Sequence, residues 1–210
     1  MTYTLFGFEN SGSVAIEIAL DVCGVEYRFV RAASWEEGAS LDELTKANPL
    51  QQIPTLQLPD DSVLTESAAI LIHLGLQFPS SQLLPSDAGK RAQVIRGLVF
   101  IAANCYSAIS VIDYPMRWCL NPDEDSNERV RAGAKDRLHK HWEIFADQFP
   151  AAPFLNGEQL GALDILAVIV SRWSGARKHL QQARPDFYAT LERIETHPAV
   201  ASVLARRWKS

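Results

Sequence analysis

Two short stretches hold residue types and spacings suited to gripping a ligand. The first is Asn48-Pro49-Leu50-Gln51-Gln52-Ile53-Pro54-Thr55-Leu56, and the second is Glu66-Ser67-Ala68-Ala69-Ile70. Pro54 has no N–H for a sheet ladder, so it belongs at a strand's beginning, an edge or a bulge. Only X–Pro bonds reach the cis form at a cost of about 0.5–1 kcal/mol. A cis bond ahead of Pro54 turns the chain sharply and leaves the Ile53 backbone facing outward, free to pair with something that is not protein. In the second stretch, polar Thr65, Glu66 and Ser67 lead into apolar Ala68, Ala69, Ile70, Leu71, Ile72 and Leu74. That is a helix start, whose free N–H groups and positive dipole end attract a carboxylate. Glu66 beside it can accept from an ammonium group. The expected ligand is therefore peptide-like, with an extended backbone, an α-carboxylate and an α-amine.

This pair of motifs, Asn-Pro-x-x-Gln-Ile-Pro-Thr-Leu followed by Glu-Ser-x-Ala-Ile, resembles the glutathione-binding half of the cytosolic glutathione S-transferase family. The resemblance implies that Ile53, ahead of a cis Pro54, pairs with the cysteinyl backbone of glutathione, and that Glu66 and Ser67 hold its γ-glutamyl end. It implies glutathione as co-substrate, a homodimer, and no metal. It also places the sulfur at the start of the first helix, beside the loop Glu9-Asn10-Ser11-Gly12-Ser13. The nucleophile is the thiolate, and a free thiol is only a few per cent ionised at neutral pH. A hydroxyl or amide donor with a helix N-terminus lowers that pKa. Ser11 is the expected thiolate donor, Asn10 the second choice, and Ser13 an added contact. Where Cys-type bacterial members carry cysteine, this chain has Gly12, so the resemblance is to a Ser/Asn-type site. No Lys, Arg or His adjoins Asn10 and Ser11 to meet the glycyl carboxylate; Gln52, Trp35 and Lys46 are the candidates for that end. Two further departures are Gln51, where many members have Gly, and Gly161, where a Ser or Thr cap often precedes Asp164.

The elements needed to position these groups are readable. Tyr3–Phe8 reads as a strand. Val14, Ala15, Ile18, Ala19 and Val22 recur at helical spacing, with Glu17 and Asp21 on the other face and Gly24 ending the helix. Residues 25–30 read as a second strand and 35–47 as a loop and short helix. Thr55–Leu58 and Val63–Leu64 form a hairpin around Pro59-Asp60-Asp61-Ser62, and a helix over 66–77 closes a βαβαββα unit. The predicted fold is a thioredoxin-like α/β domain over 1–78, a Pro- and Ser-rich linker over 79–86, and an all-helical domain over 87–210. In the second domain, 87–118 reads as one long helix or two, bent near Pro115. A helix capped by residues 121–125 runs to about Phe149, Gly161–Trp173 is the buried central helix, and 186–196 and 197–208 are two short final ones. The second-substrate pocket is expected along the long helix, from Asn104, Tyr106, Ile109, Asp113, Tyr114 and Arg117. Tyr106, Tyr114, Trp118 and Trp173 would form an aromatic wall. The five histidines show no convergent spacing and read as surface or structural.

Composition narrows the classes. The chain has 210 residues, 47% hydrophobic and 21% charged, as in globular proteins. No run of 18 uncharged apolar residues suggests a membrane span, and the N-terminus lacks the pattern of a signal peptide. Cys23, Cys105 and Cys119 form no C-x-x-C and no metal spacing, which excludes dithiol exchange and suits a reducing cytoplasm. Residues 1–80 hold three Lys/Arg against eleven Asp/Glu, net −8, while residues 81–210 are net +3. The acidic half argues against nucleic acid, and the opposite halves suit a dimer that packs one against the other. The expected function is conjugation of the glutathione thiolate to a small hydrophobic electrophile. A glutathione-dependent peroxidase, dehalogenase or isomerase on the same site is an alternative, as is a non-catalytic scaffold of the same fold.

Overall fold

The computed structural model of the chain describes residues 2–36 and 38–208. Glu37 in the predicted loop after Trp35, and the chain ends of the two predicted domains, lie outside the described residues.

The first unit runs β1 (Tyr3–Gly7), α1 (Ser13–Cys23), β2 (Tyr27–Arg31), α2 (Ala39–Ala47), β3 (Thr55–Gln57), β4 (Val63–Thr65) and α3 (Ser67–Gln77). The sheet order is β2-β1-β3-β4. β1 is parallel to β2 and antiparallel to β3, and β4 is antiparallel to β3. Alternation along β1 explains how one strand serves two layers. Leu5 enters the large core with α1 and α3, whereas its neighbour Phe6 joins a small cluster with Val30, Ala32 and Leu44 under α2. Gly24 ends α1 at φ +66°, a left-handed conformation that favours glycine. The thioredoxin-like order expected from the sequence is present.

The second unit is helical. α4 (Ala88–Phe100) continues through a π-turn over Ile101–Tyr106 into α5 (Ser107–Asp113), and Pro115–Trp118 form a short 3₁₀ segment. By length and composition alone, Ala88–Asp113 could cross a membrane. Here Val94, Leu98, Ile101, Cys105 and Ile109 are buried in the fold. α6 (Glu124–Gln148) begins at a capping box in which Asp123 accepts from the Ser126 N–H at 2.8 Å. α7 (Ala162–Val170) is buried along its whole length, as its all-round apolar sequence required. α8 (Ala176–Ala183), α9 (Pro185–Glu195) and α10 (Pro198–Arg207) complete the chain. α8 was not foreseen. Its eight residues bury little beyond Ala176 and Leu180, too few for a periodic signal.

The two units share one continuous apolar core, in which α1 and α3 pack on α7 and α1 packs on α10. At that junction the face of α1 opposite its apolar stripe is covered too, and Glu17 is buried. Its side chain is 2% exposed and pairs with Arg207 at 2.7 Å and Arg206 at 3.4 Å. The Arg207 guanidinium also lies 3.7 Å over the Phe29 ring. The polar stripe on α1 is thus a buried contact with the other end of the chain, where a charge is tolerated because it is paired.

Candidate functional site

The Ile53–Pro54 bond is cis. No hydrogen bond of the Ile53 N–H or carbonyl is found among the described residues. Pro54 and Glu66 each stand one residue beyond the last hairpin pair, Thr55–Thr65. The loop before them is built on buried Asn48. Its Nδ2 donates to the Gln52 carbonyl at 3.1 Å and to Thr55 Oγ1 at 3.0 Å, and its Oδ1 accepts from the Leu50 N–H at 3.1 Å. Thr55 Oγ1 donates to the same Gln52 carbonyl at 2.8 Å. Asn48 therefore uses its amide to satisfy a loop backbone that would otherwise lack partners. The motif contained it, but sequence reasoning assigned it no role. The Gln52 side chain is exposed.

Glu66 stands at the N-cap of α3 with φ +66°, a region that non-glycine residues rarely occupy. Asn10 and Gln51 share this property, both at φ +54°. Such outliers concentrate where the backbone must serve a ligand. The Glu66 side chain is exposed and caps nothing, so both it and the first-turn N–H groups of α3 are open to a ligand.

The loop at the mouth of α1 is closed on itself. Ser11 Oγ donates to the Phe8 carbonyl at 2.8 Å and accepts from the Ser13 N–H at 3.2 Å. Ser13 Oγ accepts from the Phe8 N–H at 3.1 Å, lies 2.8 Å from Ser11 Oγ and reaches the Phe8 carbonyl at 3.2 Å. Each hydroxyl proton therefore has an internal acceptor. Ser13 is buried, while Ser11 is half-buried. The Asn10 N–H donates to the Arg207 carbonyl at 3.1 Å, tying the loop to the end of α10. The Gly12 N–H, at the N-cap of α1, meets no acceptor among the described residues. Trp35 is 59% exposed, and its ring stands edge-on to Phe8 at 5.4 Å. Arg31 covers the other side of Phe8 at 4.1 Å and is held by Glu9 and Glu36.

Of the residues expected along the long helix, Tyr106 comes to this loop. A Cβ at Gly12 would collide with the Tyr106 hydroxyl oxygen, and the ring carbon behind that oxygen would lie at 3.2 Å. Only glycine permits so close an approach. The Tyr106 ring packs on Trp173 at 5.7 Å, and Trp173 on Trp208 at 5.9 Å. Burial pushes the Tyr106 phenol up to about 12, reinforced by the nearby charges of Asp113 and Glu66. Asp113 itself is raised by burial. The remaining members spread apart. Asn104 spends its amide on the Phe100 carbonyl at 3.1 Å. Tyr114 lies under the Arg117 guanidinium at 4.1 Å, on the exposed stretch after α5. Trp118 is also exposed there, apart from the Tyr106–Trp173 pair. Ile109 is buried in the core, which corrects its place in the predicted pocket. α5 ends at Asp113 and Pro115 starts a 3₁₀ segment, so Tyr114, Arg117 and Trp118 leave the helical face that Tyr106 and Asp113 belong to.

Comparison with known proteins agrees with this geometry. Residues 1–75 match the family described as Glutathione S-transferase, N-terminal domain. The chain is 29% identical to the uncharacterized GST-like protein YncG of Escherichia coli (strain K12) over 203 residues, covering 96% of this chain and 97% of that one. It is 26% identical to glutathione S-transferase GstA of Escherichia coli O157:H7, covering 96% of each. Among solved structures, the ternary complex of BphK, a bacterial GST, superposes with a TM-score of 0.81 at 26% identity, covering 97% of this chain and 98% of that one. A glutathione transferase homologue from Sulfitobacter with bound glutathione shares the fold, with a TM-score of 0.85 at 22% identity and 98% of each chain covered. Residues 1–75 thus match the glutathione S-transferase N-terminal domain, and with the sheet order, the cis Ile53–Pro54 edge and the α3 N-terminus these matches make the chain similar along its whole length to bacterial glutathione S-transferases.

Proposed function

We propose that this protein binds glutathione and transfers its thiolate to a small, mostly apolar electrophile. The observation that carries the reading is the Ile53 main chain, which makes no hydrogen bond among the described residues and lies one step from the open N-terminus of α3. A tripeptide paired along Ile53 extends the sheet by strand addition. Glu66 takes its α-ammonium, and Ser67 with the first-turn N–H groups of α3 takes its α-carboxylate. Gln52 and Trp35 flank the glycyl end. The sulfur then falls at the mouth of α1, beside Asn10, Ser11 and the Gly12 N–H. The electrophile enters between the two domains, near Tyr106, Asp113 and Tyr114. Rate enhancement comes from thiolate stabilisation and from holding the two reactants together. Glutathione at about 100 times its Kd adds roughly 2.7 kcal/mol of stability, or a rise in Tm of about 5–10 °C for a chain of this size. A thermal melt in millimolar glutathione checks this, and an unshifted midpoint removes the ligand and favours a scaffold.

The functional unit is a homodimer, working in a reducing cytoplasm that suits three free thiols. The net −8 and +3 parts complement each other, and Leu50, Leu76, Val99 and Trp118 expose large apolar surfaces. Sedimentation at micromolar concentration should give twice the 23.3 kDa chain mass; a monomer there defeats the dimer.

A further inference from the structure

The π-turn at Ile101–Tyr106 is braced from three sides. His141 Nδ1 lies 2.9 Å from the Asn104 carbonyl. Asn104 Nδ2 donates to the Phe100 carbonyl at 3.1 Å, and Ser107 Oγ donates to the Ala103 carbonyl at 2.6 Å. A π-turn inserts one residue and disturbs the backbone ladder, so carbonyls there need substitute donors. His141, reaching across from α6, is the donor supplied by another helix, and its ring also abuts Phe100 at 6.4 Å. One inserted residue rotates everything after it by about 100° around the helix axis. Tyr106 is the last residue of that turn, and its hydroxyl lands against Gly12.

Three facts converge there. The protons of Ser11 and Ser13 are spent inside their own loop. The Tyr106 hydroxyl makes no hydrogen bond among the described residues, although it stands at the N-terminus of α1. It keeps its proton across the physiological range, because burial and the charges of Asp113 and Glu66 oppose its ionisation. Resting on the reading that glutathione occupies this site, we propose that Tyr106, from the helical domain, is the hydroxyl donor to the glutathione thiolate, and that His141 is the positioning residue that holds it there. The thiol releases its proton to water. Tyr106 keeps its own proton and shares it with the sulfur anion in a charge-assisted hydrogen bond, with the Gly12 N–H as second donor. Gly12 is then required as the gap through which a residue of the second domain reaches the sulfur.

The test compares the wild type with Tyr106→Phe, Ser11→Ala, His141→Phe and His141→Gln. The thiol pKa of bound glutathione is read from thiolate ultraviolet absorbance, and affinity is measured by calorimetry with glutathione and with S-methylglutathione, which has no ionisable thiol. Tyr106→Phe should raise the bound thiol pKa by about one to two units, the size expected for a hydrogen bond to a charged group, while S-methylglutathione affinity stays unchanged. His141→Phe should move the pKa the same way, and His141→Gln, which keeps a donor, should restore most of it. Ser11→Ala should move it less than Tyr106→Phe does. An unchanged thiol pKa in a Tyr106→Phe protein that still binds S-methylglutathione overturns the donor assignment alone. Failure of the wild type to bind either compound overturns the ligand reading beneath it.

Discussion

Glu66→Gln should weaken glutathione binding by about 10–100-fold. The carboxylate of Glu66 is exposed and bonded to no backbone group of its own helix. It stands in a left-handed conformation at φ +66°, which has no structural benefit for a glutamate. Its proposed task is to meet the α-ammonium of the γ-glutamyl end. A hydrogen bond to a charged partner contributes about 1.5–3 kcal/mol, and each 1.4 kcal/mol is tenfold in affinity. Glutamine keeps the size and the backbone geometry and removes only the charge, so the melting temperature without ligand should hold. Calorimetric titration with glutathione measures the loss. Salt should narrow the gap between the two proteins, because the lost attraction is between charges near the surface. An affinity within a factor of two of wild type would remove Glu66 from the site and leave the open turn of α3 without its partner for the amine.

Asp164→Ala should have the largest effect on stability, about 3–5 kcal/mol. Asp164 is 0% exposed at the start of α7. It accepts from the N–H of Leu155 at 2.7 Å, Asn156 at 3.1 Å and Gly161 at 3.0 Å. Alanine leaves these three donors without their acceptor, and a buried polar group without a partner costs about 1–3 kcal/mol. α7 is the helix on which α1, α3, α4 and α9 all pack, so the damage reaches the site through the elements that frame it. At about 2–4 °C per kcal/mol for a chain of this size, Tm should fall by roughly 10 °C. Denaturant melts of the wild type, Asp164→Ala and Asp164→Asn measure it. Asparagine should recover only part, since its amide turns two donors toward N–H groups. A loss under about 1 kcal/mol for alanine means the loop over 155–161 finds other acceptors. Gly161 also shows why a missing Ser or Thr cap matters little here: its backbone N–H, not a side chain, binds the carboxylate.

Local patterns carried the architecture of the first domain and its open edge at Ile53. The proline of Ile53-Pro54 and the polar-to-apolar switch at Glu66-Ser67 act over a few residues, so neighbours in the chain determine them. Element ends in the first domain moved by only a residue or two, since the glycine at 24 and the proline at 59 punctuate the chain by local sterics, whereas the helix expected to reach Trp173 ends at Val170 and the one expected to reach Trp118 ends at Asp113. α8 left too faint a pattern to read, with two buried residues in one short helix.

Contacts that join distant parts of the chain were decided elsewhere. Glu17 carries the signature of a solvent-facing helix position, yet it is buried because α10 returns some 190 residues later with Arg206 and Arg207. The loop of Ser11 and Ser13 shows two available hydroxyls in sequence, but folding turns both onto the Phe8 carbonyl. Tyr106 reads as one member of an aromatic stripe at regular helical spacing. The packing of the helical segment, with the π-turn that ends at Tyr106 braced by His141 from another helix, brings its hydroxyl onto Gly12. Residue order alone thus determined which backbone edge and which helix end are left open, because those follow from short-range geometry. Which side chain reaches the mouth of α1 depended on the packing of one part of the chain against the other, because a helix's rotation is set by what it packs on.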